Sequence, residues 1–375
     1  MKYLFVLENF APDFEYGGVV RSVYDLADSL SLEHEIVIYT YMSELHSLIE
    51  VEMFDSTVNK NITIIRVGGG GASYYFQLMS LLNRHSFDYA YLPVVWSLSS
   101  FVCPLMFKIK KLKFLFSPHG SLDKVLFNWK TPVKFLYWKL FGRLSESLSS
   151  YVIVNSRYEA DEGRFCKQSS QKLRIIPNII SSDGQVPDCQ YANSEIRLLF
   201  FGRVSPKKQL ELIVMALADF KRRGIFFKLD IFGKVEPSYY SKLDVIIRKL
   251  FLEADVSFKG HISRGEFVNN HLNVRYINLL PSLDENFAIS VGELSLLGIP
   301  SVVSPYVGIG GFYDQKSIVV CKNEVDEICK GIESLRSEQR WQGYSENARA
   351  IAVSAFSKEK VASLFLSTTS DLGDK

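Results

Sequence analysis

Short β-branched or aromatic runs alternate with stretches of helical periodicity along the whole 375-residue chain. This is the pattern of parallel sheets covered by helices. In the first half it predicts strands at Tyr3 to Leu7, Glu35 to Tyr39, Thr63 to Val67, Asp88 to Leu92, Lys113 to Ser117, Tyr151 to Asn155 and Leu173 to Ile176. A second cycle predicts strands at Ile196 to Phe201, Phe227 to Phe232, Val256 to Phe258, Arg275 to Leu280, Ser301 to Val303 and Ser317 to Val320, then a helical tail from Ser357 to Leu372. Between the cycles, residues 180–194 are polar, contain Gly184 and Pro187 and follow neither period, which marks a linker. The fold class is therefore α/β, with domains over 1–180 and 195–356, a linker at 181–194 and a tail at 357–375 able to cross back to the first domain. Two doubly wound sheets in tandem place ligands at the carboxyl ends of strands, in a central cleft between facing domains.

One uncharged run, Tyr89 to Phe107, is 19 residues long, enough for a bilayer. Pro93 and Pro104 interrupt it, and Tyr89 to Val95 reads as a buried strand followed by a helix near Trp96, so no membrane crossing is expected. At the N-terminus only Tyr3 to Leu7 separates Lys2 from Glu8, too short an apolar run for a signal peptide; the chain is expected to begin at Met1.

Composition excludes disorder: 47% of residues are hydrophobic and 22% charged, with 27 Phe and 19 Tyr. The formal net charge, 43 − 41 = +2, gives no global reason to bind nucleic acid. Charge is uneven locally. Residues 1–50 carry two basic and nine acidic side chains, whereas Lys108 to Arg143 carries nine basic ones and a single acid, Asp123. Five cysteines without a CxxC pair suggest neither a disulfide framework nor a zinc site, and fit a reducing cytoplasm.

Four segments are candidates for chemistry. In Phe201-Gly-Arg-Val-Ser-Pro-Lys-Lys208, Ser205 is a plausible N-cap and Pro206 the first helical residue, so Arg203 lies at the rim and Lys208 in the first turn. The segment reads either as a solvated basic helix start or as a diphosphate site. In Pro281-Ser-Leu-Asp-Glu285-Asn-Phe-Ala-Ile-Ser-Val-Gly-Glu293, a helix is predicted from near Phe287. Glu293 is then too far along it to act on the helix dipole, and suits sugar hydroxyls. Gly17 and Gly18 open a helix after the first strand, as a plain turn or as a close approach to a phosphate. His119, in Ser117-Pro-His-Gly120, ends a strand, where a lone histidine is either structural or working. Gly68 to Gly71 lacks the strand-turn-helix context of a phosphate cradle and reads as a flexible loop.

Together these segments, with NSRYE at 155–159, IPN at 176–178 and LLGIP at 296–300, resemble the retaining GT-B glycosyltransferases of glycosyltransferase family 4, which includes many bacterial polysaccharide and lipopolysaccharide enzymes. The resemblance spans nearly the whole chain. It implies a GT-B fold of two Rossmann-like domains, with Arg203 and Lys208 on the donor diphosphate, Glu293 on the ribose and Glu285 on the hydroxyls of the transferred sugar. It further implies that the N–H groups of Phe287, Ala288 and Ile289 cap the phosphates, that His119 contacts the donor sugar near the reacting carbon, and that Gly17 and Gly18 lie against the phosphates. The chain departs from the family pattern at Ile179, Ala288 and Phe312, positions nearer the sugar than the diphosphate.

The activity so implied is transfer of a hexose from a nucleotide sugar to a hydroxyl of a growing, lipid-linked bacterial surface glycan such as an O-antigen, capsule or exopolysaccharide. No DxD triplet occurs, so no metal and no other cofactor is expected. Periodicity predicts a helix from Val133 to Leu144 whose outer face carries Lys134, Phe135, Trp138, Lys139 and Arg143. With Trp129 and Trp138 at headgroup depth, the segment Lys108 to Arg143 would hold the enzyme on the inner face of the cell membrane. A nucleotide-sugar epimerase on the same fold, or an inactive membrane-associated scaffold, is the alternative.

Overall fold

In the computed structural model, residues 1–10, 18–41, 50–53, 61–68, 71–122, 137–138, 143–165, 167–180, 196–271 and 274–373 are described. The chain divides into two units, Met1–Ile179 with Ser357–Lys375, and Ile180–Phe356. Each is a sheet with helices on both faces, parallel throughout in the second unit and parallel except for one edge strand in the first. The predicted linker at 181–194 lies outside the described residues, as do Gly17, Gly69, Gly70, Trp129 and most of Val133 to Leu144.

In the first unit the strands are β1 (Lys2–Val6), β2 (Glu35–Tyr41), β3 (Glu50–Met53), β4 (Ile62–Val67), β5 (Tyr89–Leu92), β6 (Lys113–Phe116), β7 (Tyr151–Val154) and β8 (Leu173–Ile175), in the spatial order β3-β4-β2-β1-β5-β6-β7-β8. Alternate side chains leave a strand on opposite faces, and the two cores sort accordingly. Tyr3, Phe5, Ile36, Ile38 and Tyr91 pack on one face, and Leu4, Val6, Val37, Tyr39 and Leu92 on the other. The first core is covered by the helices Gly18–Leu30 and Lys358–Gly373. From the second of these, Phe365 meets the rings of Phe5 and Tyr91, and Thr369 hydrogen-bonds the Tyr3 hydroxyl at 3.1 Å. Burying one such phenylalanine contributes about 1.5–3 kcal/mol. The other core is covered by Ala72–Arg84 and Ser99–Ile109.

Sequence patterning missed β3, which pairs antiparallel to β4; its Glu-Val-Glu-Met reads as loop. It also treated Pro104 as a break, whereas the helix Ser99–Ile109 runs through it. A proline there leaves the carbonyl four residues back without its helical donor. That carbonyl, Ser100 O, accepts a hydrogen bond from Ser145 Oγ of the helix Arg143–Leu148 instead. Among the described residues no helix is long and apolar enough to cross a membrane. Trp138 is not at a surface: it is 2% exposed and packs edge-on to Trp96 within the second core. Helical periodicity alone cannot tell an outer face from one covered by a neighbouring strand-to-helix connection.

In the second unit β9 (Ile196–Phe201), β10 (Leu229–Phe232), β11 (Val256–Gly260), β12 (Arg275–Leu280), β13 (Ser301–Val303) and β14 (Val319–Val320) form an all-parallel sheet ordered β11-β10-β9-β12-β13-β14. Leu198 and Phe200 enter the larger core, whereas Leu199 faces a smaller one around Phe267 and Tyr276. The strand order reverses between β9 and β12, so the connections leaving these neighbours diverge and open a crevice at their carboxyl ends.

Candidate functional site

The loops after β9 and β12 carry the second unit's candidate residues, and three strand-end loops are sewn together there. The Lys207 carbonyl accepts from the Leu283 N–H (2.9 Å) and the Ser282 hydroxyl (3.2 Å). The Glu285 N–H donates to Tyr306 O and its carbonyl accepts from the Gly308 N–H, both at 2.8 Å, which ties in the loop after β13. Asn323 donates from Nδ2 to Gln209 Oε1 (2.6 Å) and Pro281 O (3.0 Å).

This framework brings together charges 77 positions apart. Lys208 Nζ lies 2.6 Å from Glu285 Oε1, each side chain 16% exposed, and the Ser282 hydroxyl reaches the same oxygen at 3.1 Å. Lys207 Nζ lies 3.1 Å from Asp284 Oδ2, whose carboxylate is fully buried. Two lysines are thus neutralised by two carboxylates, while Arg203 at the rim is exposed. An incoming anion can draw Lys208 off Glu285, and the released carboxylate then becomes an acceptor for hydroxyl groups. One ion pair therefore sets an ammonium and a carboxylate side by side at the ends of β9 and β12.

Two local expectations are corrected. Pro206–Lys208 is a single 3₁₀ turn; Gln209 then adopts a left-handed conformation and the helix runs from Leu210 to Arg222. The Leu210 N–H is taken by the Tyr239 hydroxyl at 2.9 Å, so this helix end has less to offer a phosphate than the sequence suggested. The second helix is Ile289–Leu296 rather than starting at Phe287. Phe287 is buried, Ala288 and Ile289 partly so, and Glu293 is half-buried about one turn along that helix. Ala288 has φ 73° and ψ 69°, where a Cβ costs about 1–2 kcal/mol. Ala288→Gly is expected to stabilise the fold by about 0.5–1 kcal/mol after the entropy of the unfolded chain is subtracted, read as a higher denaturant midpoint at unchanged slope. The other departures are absorbed by packing. Phe312 sits in an aromatic cluster with Phe287 and Phe356, and Ile179 is buried in the first unit's core.

In the first unit, His119 follows β6 in a left-handed conformation (φ 47°), and Gly120 continues it (φ 75°). The Tyr91 hydroxyl meets His119 Nε2 at 3.1 Å. Burial pushes the imidazole pKa down to about 4, against a hydrogen bond with Asn155 that opposes the shift. His119 is therefore neutral at neutral pH. Its folded pKa lies below the unfolded value of 6.5, so stability is expected to fall as pH drops from about 6.5 through about 4, where the unfolded chain binds a proton that the native one refuses. His119→Gln should flatten that slope, and the ring-proton NMR titration of His119 should have its midpoint near pH 4; a midpoint near 6.5 would refute the assignment.

What holds this loop was overlooked in the sequence. Glu159 is fully buried, and its two carboxylate oxygens accept from the Gly120 N–H (2.5 Å) and the Asn155 N–H (2.7 Å). Ser156 caps the helix Arg157–Glu162 by accepting from the Glu159 N–H at 3.0 Å. The spacing Ser156-x-x-Glu159 is that of a capping box, and it was the available signal. Asp284 and Lys207 were likewise missed, because nothing local distinguishes a buried acid in a polar loop from a solvated one. Gly18 begins the helix Gly18–Leu30.

A cleft of about 860 Å³ opens instead at the amino ends of β1, β5 and β6, lined by Arg84, His85, Lys110, Lys111, Lys113 and Asp88. It lies at the opposite end of the strands from His119, and three lysines of the segment Lys108 to Arg143 line it.

The chain matches the model of Glycosyltransferase Family 4 over residues 16–183 and that of Glycosyl transferases group 1 over residues 190–353. It is similar, at 22% identity over 308 residues (77% of this chain, 78% of the relative), to an uncharacterised 41.2 kDa protein in the cps region of Klebsiella pneumoniae. Among solved structures it is similar to Anabaena HepE in complex with UDP and glucose (18% identity, TM-score 0.72, covering 99% of this chain and all of that one). It is also similar to the lipopolysaccharide outer core galactosyltransferase WaaB in its apo form (16% identity, TM-score 0.70, covering 99% and 100%). With these two family matches in tandem and a doubly wound parallel sheet in each unit, the chain is a glycosyltransferase of the GT-B type.

Proposed function

We propose that the chain transfers a hexose from a nucleotide sugar, with retention of anomeric configuration, to a hydroxyl of a growing, lipid-linked surface glycan. The observation that carries the reading is the Lys208–Glu285 pair at the β9/β12 crevice, beside exposed Arg203. Arg203 and Lys208 take the donor diphosphate, the N–H groups of Phe287, Ala288 and Ile289 assist them, Glu293 takes the ribose and Glu285 the sugar hydroxyls. On the first unit, neutral His119 is assigned a hydrogen bond to a sugar hydroxyl, and Gly17 and Gly18 an approach to phosphate. Relatives in complex with UDP and glucose, in lipopolysaccharide assembly and in a cps region support a donor and product of this class.

The acceptor oxygen forms the new bond to the anomeric carbon on the face from which the diphosphate leaves, and a phosphate oxygen receives the acceptor proton. Negative charge grows on the leaving group, so preorganised cations and N–H donors supply the main stabilisation, and we assign the reaction no metal. Membrane contact is assigned to the exposed Lys108, Lys110 and Lys111, without Trp138.

The test is nucleoside diphosphate release from UDP, GDP and ADP sugars in EDTA, with a membrane extract as acceptor. Wild type should release one nucleotide, and Glu293→Ala and Arg203→Ala should release it at least tenfold more slowly. Release from no donor, or release restored only by manganese, would overturn the transferase reading or its metal independence respectively.

A further inference from the structure

The loops after β9 and β12 meet as two dipeptides of opposite charge, Lys207-Lys208 against Asp284-Glu285. Lys208 Nζ sits 2.6 Å from Glu285 Oε1, whereas Lys207 Nζ sits 3.1 Å from Asp284 Oδ2 and 4.0 Å from Glu285 Oε1. Lys207 therefore stands within reach of both carboxylates and is held on the nearer one. The roles proposed above use Lys208 and Glu285 and leave the other pair without a task.

That pair is not needed to join the loops. The Lys207 carbonyl already accepts from the Leu283 N–H at 2.9 Å and the Ser282 hydroxyl at 3.2 Å, and the Glu285 backbone is bonded to Tyr306 and Gly308. A buried carboxylate is moreover a poor strut, since its desolvation offsets much of what one cation returns. Asp284 is such a carboxylate: its side chain is 0% exposed, and neither oxygen has a hydrogen-bond partner among the described residues. What the arrangement does fix is the place of the Lys207 charge.

We infer that Asp284 is a positioning residue. It draws Lys207 aside, so that Glu285 keeps Lys208 as its close cation and is freed when Lys208 turns to the donor diphosphate. This rests on the roles proposed for Lys208 and Glu285. With Asp284 uncharged, the carboxylate left to Lys207 is that of Glu285, 4.0 Å away. Lys207 then occupies Glu285 after Lys208 has left it, and the sugar hydroxyls lose their acceptor. At the same time these four side chains, balanced at two charges of each sign, are left with one positive charge in excess, which favours a bare nucleoside diphosphate. The two effects have opposite signs, whereas the loosening of a strut weakens both.

The experiment compares wild type, Asp284→Asn and the double variant Lys207→Met/Asp284→Asn, each as the full chain. UDP-glucose, GDP-mannose and ADP-glucose are supplied with the membrane extract to obtain kcat/KM, and UDP, GDP and ADP are titrated by calorimetry. With the donor that wild type turns over, Asp284→Asn is expected to lose about tenfold or more in kcat/KM while binding the matching nucleoside diphosphate about twofold or more tightly. The double variant removes the stray ammonium along with the carboxylate and should recover kcat/KM to within about threefold of wild type. A wild-type rate in Asp284→Asn, a nucleotide bound no more tightly by it, or no recovery in the double variant would each overturn the inference and leave the transferase reading standing. Turnover of none of the donors by wild type would overturn that reading, and the role of Asp284 with it.

Discussion

Lys208→Ala is expected to lower kcat by on the order of 10²–10³-fold, the scale at which one preorganised donor to developing negative charge is lost. The free protein holds Lys208 against Glu285 at 2.6 Å, so the ammonium is already fixed at the crevice and needs only a short swing to meet a diphosphate. The accompanying loss of stability should be small, about 1–2 kcal/mol, because Glu285 keeps the Ser282 hydroxyl at 3.1 Å and has Lys207 at 4.0 Å. Glu285→Gln should act on the sugar side, and the double variant should lose less than the sum of the two singles, since each single change strands the other's partner. Steady-state kinetics of the four proteins in one donor series measures this. A loss under threefold in Lys208→Ala would remove the residue from the leaving-group side.

Gly233→Ala is expected to cost about 3 kcal/mol or more and to weaken nucleotide binding with it. Gly233 follows β10 at φ 140°, a region closed to residues with a Cβ, and a Cβ built there would stand 1.8 Å from the Gly202 carbonyl oxygen and 2.6 Å from its carbon. Both neighbours are backbone, so no rotamer relieves the clash. One of the two strand ends must move, and the one that moves carries Arg203. Denaturant unfolding gives the stability loss; a titration of the surviving folded protein with the nucleotide that the wild type releases gives the second effect. Full stability in Gly233→Ala would mean that the two strand ends are looser than their hydrogen bonds, Gly202 N–H to Phe232 O at 2.9 Å and Gly233 N–H to Gly260 O at 2.8 Å, imply.

Most strands were legible because a buried parallel strand is written locally, as a run of β-branched and aromatic residues. β9, β12 and β13 carry the predicted bounds, Ile196–Phe201, Arg275–Leu280 and Ser301–Val303. β3 was not legible, since an edge strand buries little and needs no such run. The motifs around Arg203, Lys208, Glu285 and Glu293 were found as segments, but not the pairing of Lys208 with Glu285 nor the burial of Asp284. Trp138 was misplaced on an outer face because a helical wheel records periodicity and not what packs against it.

The sequence by itself determined the α/β class, the order of elements and the glycosyltransferase family resemblance, all of which follow from short-range periodicity and contiguous motifs. Only the tertiary structure decided that Ser145 satisfies the carbonyl freed by Pro104, that Glu159 clamps the His119 loop, and that Asp284 is buried against Lys207. Each of these depends on residues far apart in the chain, brought together by strand neighbours whose order no local signal contains. Burial, hydrogen-bond satisfaction and pKa belong to such assemblies, and they exist only once the sheet has closed around them.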